Sequence, residues 1–362
     1  MEELSVGTIA AICGLLGGVV LGFSARWGRF CTLGAIEDAV LGGDTNRLRS
    51  WGIAIAVAIV GTYGMNQAGI IEISNSFYVA SPTTILATIV GGFLFGVGMA
   101  FVGTCGFGTL ARVGGGDLKS VVTFLVMGIT AYATLRGASA YLRVALFGNP
   151  EPAENTASFA ALAERTFGLD ASIAAYLIAA LIAAFCFSSA KFRRDYKRIL
   201  VGVLVGLVIV WGWYGSGVIA ADEFEPYPLE NFTFSAPLGE TIMYVMTMSG
   251  AALKFGIGAT LGVVIGAAIT SIIQTHFRWE ACDDAREMRR QIGGGMLMGF
   301  GSVTALGCTI GQGLSAASAL AYSAPIAMVS IFIGAWLGLH YLIEGTIMGA
   351  LRHSFKGRDD AG

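Results

Sequence analysis

The chain has 362 residues, of which 55% are hydrophobic and only 13% charged, about half the charged share of a typical soluble domain. Glycine occurs 52 times against 7 prolines, and mean hydropathy is +0.72, a composition that suits helices packed closely in lipid rather than a soluble enzyme. A net charge of −2 gives no basis for a nucleic-acid partner, and six cysteines with three histidines, none at metal-ligand spacing, give none for a metal or another cofactor.

Taken in chain order, apolar stretches of about 20 residues, the length that crosses a bilayer, run near Val6–Phe23, Trp51–Ile71, Thr84–Val102, Leu118–Leu135, Ser172–Ala190, Leu200–Ala220, Leu253–Ile273, Ile292–Leu306 and Ile326–Ile343. They predict an all-α polytopic membrane protein with nine transmembrane helices. The start is acidic (Met1, Glu2, Glu3), unlike the basic start of a signal peptide. Lys191, Arg193, Arg194, Lys197 and Arg198 follow the fifth span, whereas 221–240 holds five carboxylates and no basic residue. Basic loops stay in the cytoplasm. The N-terminus is therefore expected outside, and the tail with Arg352, Lys356 and Arg358 inside. Arg136 and Arg143 fall outside against this trend, flanking a short interfacial helix near Tyr141–Phe147. The polar stretch 148–171 is expected as an external loop. One membrane domain is expected, with halves at about 1–147 and 199–351 joined by this loop and a linking span at 172–190.

An internal repeat divides those halves. Gly92, Leu94, Gly96, Gly98, Cys105 and Gly108 recur as Gly295, Leu297, Gly299, Gly301, Cys308 and Gly311, each at a constant offset (295 minus 92). One identity is a cysteine, which argues for duplication over chance. The copies fall on the third and eighth spans, so they cross in opposite directions. Such inverted repeats typically hold a transporter's site near the midplane. A further match, Gly18–Gly22 with Gly262–Gly266, does not fit, because those segments run the same way.

Three cysteines end apolar spans among small residues: Cys31 between Gly28 and Gly34, Cys105 with Gly103, Gly106 and Gly108, and Cys308 with Gly307, Gly311 and Gly313. Glycine there can break the helix, and broken backbone at membrane depth occurs only when packed in protein or lining a cavity. Short re-entrant helices then start near Leu33, Thr109 and Leu314. Their N-terminal N–H groups suit an anion, and the thiols add a soft, polarisable contact. Packing alone is the competing account of any buried cysteine, and it is the account adopted for Cys13, Cys186 and Cys282. Lys254, Glu240 and Glu344 are expected to snorkel. Asp117 is expected to cap the helix after Gly114–Gly116, and Trp211, Trp213 and Tyr214 to form an outer interfacial belt.

At Gly28–Asp38, Gly91–Lys119 and Phe277–Gly313, above all in Cys105–Arg112 and Met298–Gly313, the sequence resembles the YeeE/YedE family of thiosulfate-uptake membrane proteins. The resemblance implies thiosulfate import across a bacterial cytoplasmic membrane, along a central path lined by Cys31, Cys105 and Cys308. It also implies a cytoplasmic TusA-like sulfur-carrier protein as a partner of some members. Against a negative-inside potential a dianion faces about twice 2.3 kcal/mol per 100 mV, and no intramembrane carboxylate or histidine chain offers a proton relay. Two other readings stand beside import: a membrane thiol oxidoreductase or sulfurtransferase using persulfide chemistry, and a small-solute channel with structural cysteines.

Overall fold

The computed structural model describes residues 5–81, 84–148, 158–168, 170–222, 226–281 and 284–345. Sixteen α-helices run through them: α1 (Val6–Trp27), α2 (Thr32–Val40), α3 (Asn46–Gln67), α4 (Phe77–Ala80), α5 (Ile85–Val102), α6 (Gly106–Gly114), α7 (Leu118–Arg136), α8 (Ala138–Phe147), α9 (Phe159–Phe167), α10 (Ala171–Phe187), α11 (Ala190–Arg193), α12 (Tyr196–Tyr214), α13 (Ala236–Thr247), α14 (Phe255–Ile273), α15 (Ala285–Thr304) and α16 (Ser323–Glu344). Residues 309–318 are also helical, with Gly311–Ala316 wound as a π-helix.

Among the described residues, seven helical stretches are long and apolar enough to cross a membrane, or up to eight if the bent pair α9–α10 forms one span. The expectation of nine spans is met by seven on this measure. The other two expected spans are helices that fall short for physical reasons. α10 has 17 residues, and the first turns of α15 carry Arg286, Glu287, Arg289 and Arg290. Side chains sort as lipid-facing helices require: α1 exposes Ile12, Leu16, Val20 and Phe23 and buries Gly14, Gly18 and Gly22.

The buried glycines set the packing. α1 lies along α14, where a Cβ on Gly18 would meet the Ala259 carbonyl and one on Gly262 the Leu15 carbonyl, each with the facing glycine Cα 3.0 Å away. Gly22 abuts Val263 and Gly266 abuts Val19 in the same way. The Gly18–Gly22 match with Gly262–Gly266 is thus a face-to-face contact between two small-residue ridges. α5 lies between α15 and α16, α7 packs on α15 and α13, and α3 packs on α12 and α10.

Caps fix several helix starts. Asp117 accepts from the Lys119 and Ser120 N–H groups, as its position predicts, and Asp170, Asp195 and Asp284 do the same for α10, α12 and α15. Lys254 does not simply reach for water but pairs with Glu240 at 2.8 Å. The short helix expected near Tyr141 is α8, with Tyr141 84% exposed.

Two expectations need revision. The stretch 148–171 is not all loop, since it contains α9, whose Ser158 cap also bonds the Ala319 carbonyl. The aromatic belt is split: Trp213 is fully buried, with its indole N–H donated to Ser318 at 2.9 Å, and Trp211 donates to the Cys13 carbonyl. Cys282, Glu223, Glu225, residues 149–157 and the tail with Arg352, Lys356 and Arg358 lie outside the described residues.

Candidate functional site

Each of the three singled-out cysteines sits at the start of a short helix. Cys31 is the N-cap of α2 and Cys105 that of α6. Cys308 precedes the 309–318 helix, and its carbonyl accepts the Gln312 N–H at 2.8 Å. The chain reverses before each cysteine through left-handed backbone: Arg29 (φ 51°), Gly103 (φ 78°) and Leu306 (φ 59°). At Gly103 a glycine takes this role at no steric cost, and at the third break Gly307, also at positive φ, follows Leu306. At the other two breaks an ordinary side chain bears the strain, and neighbouring Gly28 stays helical (φ −89°).

Helix starts leave N–H groups without intrahelical partners, and here sulfur meets some of them. The Gly108 N–H points to Cys105 Sγ at 3.4 Å. Cys308 Sγ receives the Phe234 N–H at 3.1 Å and lies 3.9 Å from Thr233 Oγ1. Cys31 Sγ lies 4.0 Å from Thr104 Oγ1, and its thiol is within interaction reach of the Cys105 thiol. Cys105 in turn lies beside Thr309, the residue after Cys308. Cys31 and Cys105 are thus neighbours, and Thr309 brings the Cys308 loop to Cys105. Cys105 and Cys308 are fully buried. Phe107 and Phe234 pack ring to ring at 5.5 Å alongside.

The loop glycines divide by role. Gly34, Gly103 and Gly108 line a cavity with Cys31. Gly108 leaves room for the Thr104 hydroxyl, Gly106 for Met127 and the Phe234 carbonyl, and Gly311 for the hydroxyls of Thr233 and Tyr78. Gly307 takes φ 158°. Gly28 and Gly313 are packing positions, against Val201 and against Met328 and Trp51. Cys13 and Cys186 are buried away from these three, packing on Gly215 and Gly52.

Two features were missed from the sequence. One is the hydroxyl of Thr309: fully buried and, among the described residues, with no partner in hydrogen-bond geometry. Helical threonines here normally bond back one turn, as Thr109 does to Cys105, Thr260 to Gly256 and Thr304 to Phe300. Thr309 is the first residue of its helix, after the break at Leu306 and Gly307, so no helical turn precedes it to supply that acceptor. Thr32, which follows Cys31, is likewise buried and unpartnered. A threonine directly after two of the three cysteines was the available signal. The second is the part that Arg47 and Arg112 play in the cavity at Cys31, about 490 Å³; Arg26, Arg29 and Glu37, which also line it, stand close to Cys31 in the sequence and already suggest a polar mouth there.

Comparison with known proteins agrees with the resemblance. The sulphur transport family profile matches residues 27–337. The thiosulfate transporter TsuA of Escherichia coli is 25% identical over 346 residues, covering 90% of this chain and 92% of that protein. The protein of the same name from Spirochaeta thermophila is 27% identical over 331 residues, covering 89% and 96%. With its apolar helices and a match running from α1 into α16, the chain belongs to the sulphur transport (YeeE/YedE) family.

Proposed function

We propose that the protein imports thiosulfate, or a closely related sulfur-containing anion, along a central path running from Cys308 past Thr309 and Cys105 to Cys31. The observation that carries this reading is the meeting of thiols and hydroxyls at three helix N-termini. A thiosulfate ion has one soft sulfur and three hard oxygens. The thiols offer the sulfur a polarisable partner, while N–H groups and the unpartnered Thr309 hydroxyl offer donors to the oxygens. Both TsuA proteins are named for transport of this ion, which supports the choice of substrate.

The inverted repeat is part of the proposal, and packing supports it. Exchanging α1 with α12, α3 with α14, α5 with α15 and α7 with α16 turns the α1–α14 contact into α12–α3, and α5–α16 into α15–α7. All four pairs are packed together. The exchange also pairs α2 with α13, whose N-cap is Ser235 rather than cysteine. On this reading α10 and α15 also cross the bilayer, giving nine spans in one transport domain, with halves at about 1–147 and 199–351. The N-terminus is then outside a bacterial cytoplasmic membrane and the arginine-lined cavity faces the cytoplasm, where a TusA-like carrier would take the sulfur onward.

The test is uptake of radiolabelled thiosulfate by proteoliposomes containing the purified protein and no soluble partner. Accumulation of the unchanged ion supports transport. Release of sulfane sulfur with sulfite left behind supports persulfide chemistry instead, and equal entry of unrelated small solutes supports a channel.

A further inference from the structure

The cavity beneath Cys31 carries more built detail than a polar exit needs. Arg26, in the last turn of α1, and Arg112, in the last turn of α6, both line it. Arg112 is anchored by donating to the Gly103 carbonyl at 2.7 Å. Arg26 is cradled: its guanidinium fills the space that a Cβ on Gly115 would occupy. This accounts for the middle of the Gly114–Gly116 run, whose outer members pack on α14 and on the Arg278 carbonyl. The two guanidinium groups are close enough to repel each other, Glu280 and Asp117 act on Arg26 in the opposite sense, and Arg112 also acts on Cys31. Among the described residues neither arginine lies within ion-pair distance of a carboxylate, although Asp117 and Glu280 border the adjoining cavity. Arg26 Nε is buried without a hydrogen-bond partner among the described residues. A repelling pair, each member held in place and one N–H unanswered, is complementary to a doubly charged anion.

We infer that this cavity is a separate anion-holding site, in which Arg26 and Arg112 clasp a small divalent oxyanion, sulfate as readily as thiosulfate. Guanidinium forks read oxygen geometry and charge, not soft sulfur. The thiols therefore select the ion and the arginine pair receives it. A site that accepts any small dianion from the inner side also makes entry sensitive to the dianions already inside. This consequence rests on the proposed path and orientation, whereas the binding itself does not.

The experiment has two arms. Equilibrium binding of radiolabelled sulfate to the purified full chain in detergent should show one site in the wild type and in Cys105→Ala. Arg26→Gln, and separately Gly115→Ala through displacement of Arg26, should weaken it about tenfold to a hundredfold, the range for a hydrogen-bonded charge contact, at unchanged elution volume. Arg26→Lys should recover part of the affinity. In proteoliposomes of uniform orientation, sulfate on the arginine-cavity side should slow thiosulfate entry, and sulfate on the opposite side should not. Sulfate bound as well by Arg26→Gln as by the wild type, or absent from both, overturns the inference. If the cysteine variants transport normally while sulfate binding still depends on Arg26 and Gly115, the path fails and the arginine site stands.

Discussion

Replacing Thr309 by valine should make the protein more stable and less active, and this opposition of sign is diagnostic. Among the described residues the Thr309 hydroxyl is fully buried with no partner in hydrogen-bond geometry, the Cys105 thiol lying beside it, and an unmade bond of this kind costs about 1–3 kcal/mol. Valine has the same branched shape without the hydroxyl. The resting protein should therefore unfold at an equal or higher temperature, gaining up to about 1–3 kcal/mol. If the hydroxyl donates to a passing oxyanion, its loss removes a hydrogen bond to a charged group, about 1.5–3 kcal/mol, or roughly 10- to 150-fold in uptake efficiency. Thr123→Val is the control, because it breaks the 2.7 Å bond to buried Gln291 and should lower stability. Thermal unfolding in detergent and initial uptake rates at matched protein level read the two effects. Wild-type uptake by Thr309→Val, or a loss of stability like that of Thr123→Val, would refute the reasoning.

Three further outcomes are expected. Gly262→Leu should destabilise by overpacking, about 1–3 kcal/mol or more, because the Leu15 carbonyl and Gly18 fill that space; Gly293→Ala, with nothing near its added methyl, should instead gain about 0.5–1 kcal/mol, both read by thermal unfolding. Burial, then the Glu240 charge, pushes the Glu230 carboxyl up to about 7, against the pull of Lys254 and Tyr227. The folded state then holds a proton that the unfolded state releases near 4.5, so this group's contribution to stability is present below that pH and is lost as pH rises to about 7. Glu230→Gln should flatten that slope in unfolding scans from pH 4 to 8, and an unchanged slope would remove Glu230 as its source. Cys13→Ala and Cys186→Ala should cost about 1 kcal/mol of packing and leave uptake near wild type, which proteoliposome assays would check.

The helices were legible because lipid imposes a simple demand: every spanning segment must be long and apolar. α1, α5, α7, α14 and α16 follow their apolar runs closely. The demand weakens where charge intrudes, so α15 begins seven residues before its apolar run (292 minus 285), in the charged turn that Asp284 caps. The cysteine helices were legible from the glycines and the repeat. What the repeat concealed was how the chain turns, since Arg29 and Leu306 adopt left-handed backbone that glycine was expected to supply. Trp213 looked interfacial beside Trp211 and Tyr214, yet on a helix adjacent residues face different ways, and Trp213 points to Ser318. Arg26 and Arg112 are far apart in sequence, and nothing local announces that α1 and α6 bring their last turns together. Thr309 was visible as a residue but not as an orphan, because the sequence does not show that its helix begins at that residue, with no turn before it to accept the hydroxyl.

The central claim is that sulfur at positions 105 and 308 handles the sulfur end of the ion, and one measurement addresses it most directly. Initial rates of radiolabelled thiosulfate uptake should be compared in proteoliposomes for wild type, Cys105→Ala, Cys105→Ser, Cys308→Ala and Cys308→Ser at equal incorporation. Serine donates a stronger hydrogen bond than a thiol but is hard rather than polarisable. The account predicts that both serine variants fail nearly as fully as the alanine variants, and that excess external sulfate competes poorly in the wild type. Near-normal uptake by both serine variants would contradict it, leaving the helix N-termini as an anion site with no use for sulfur.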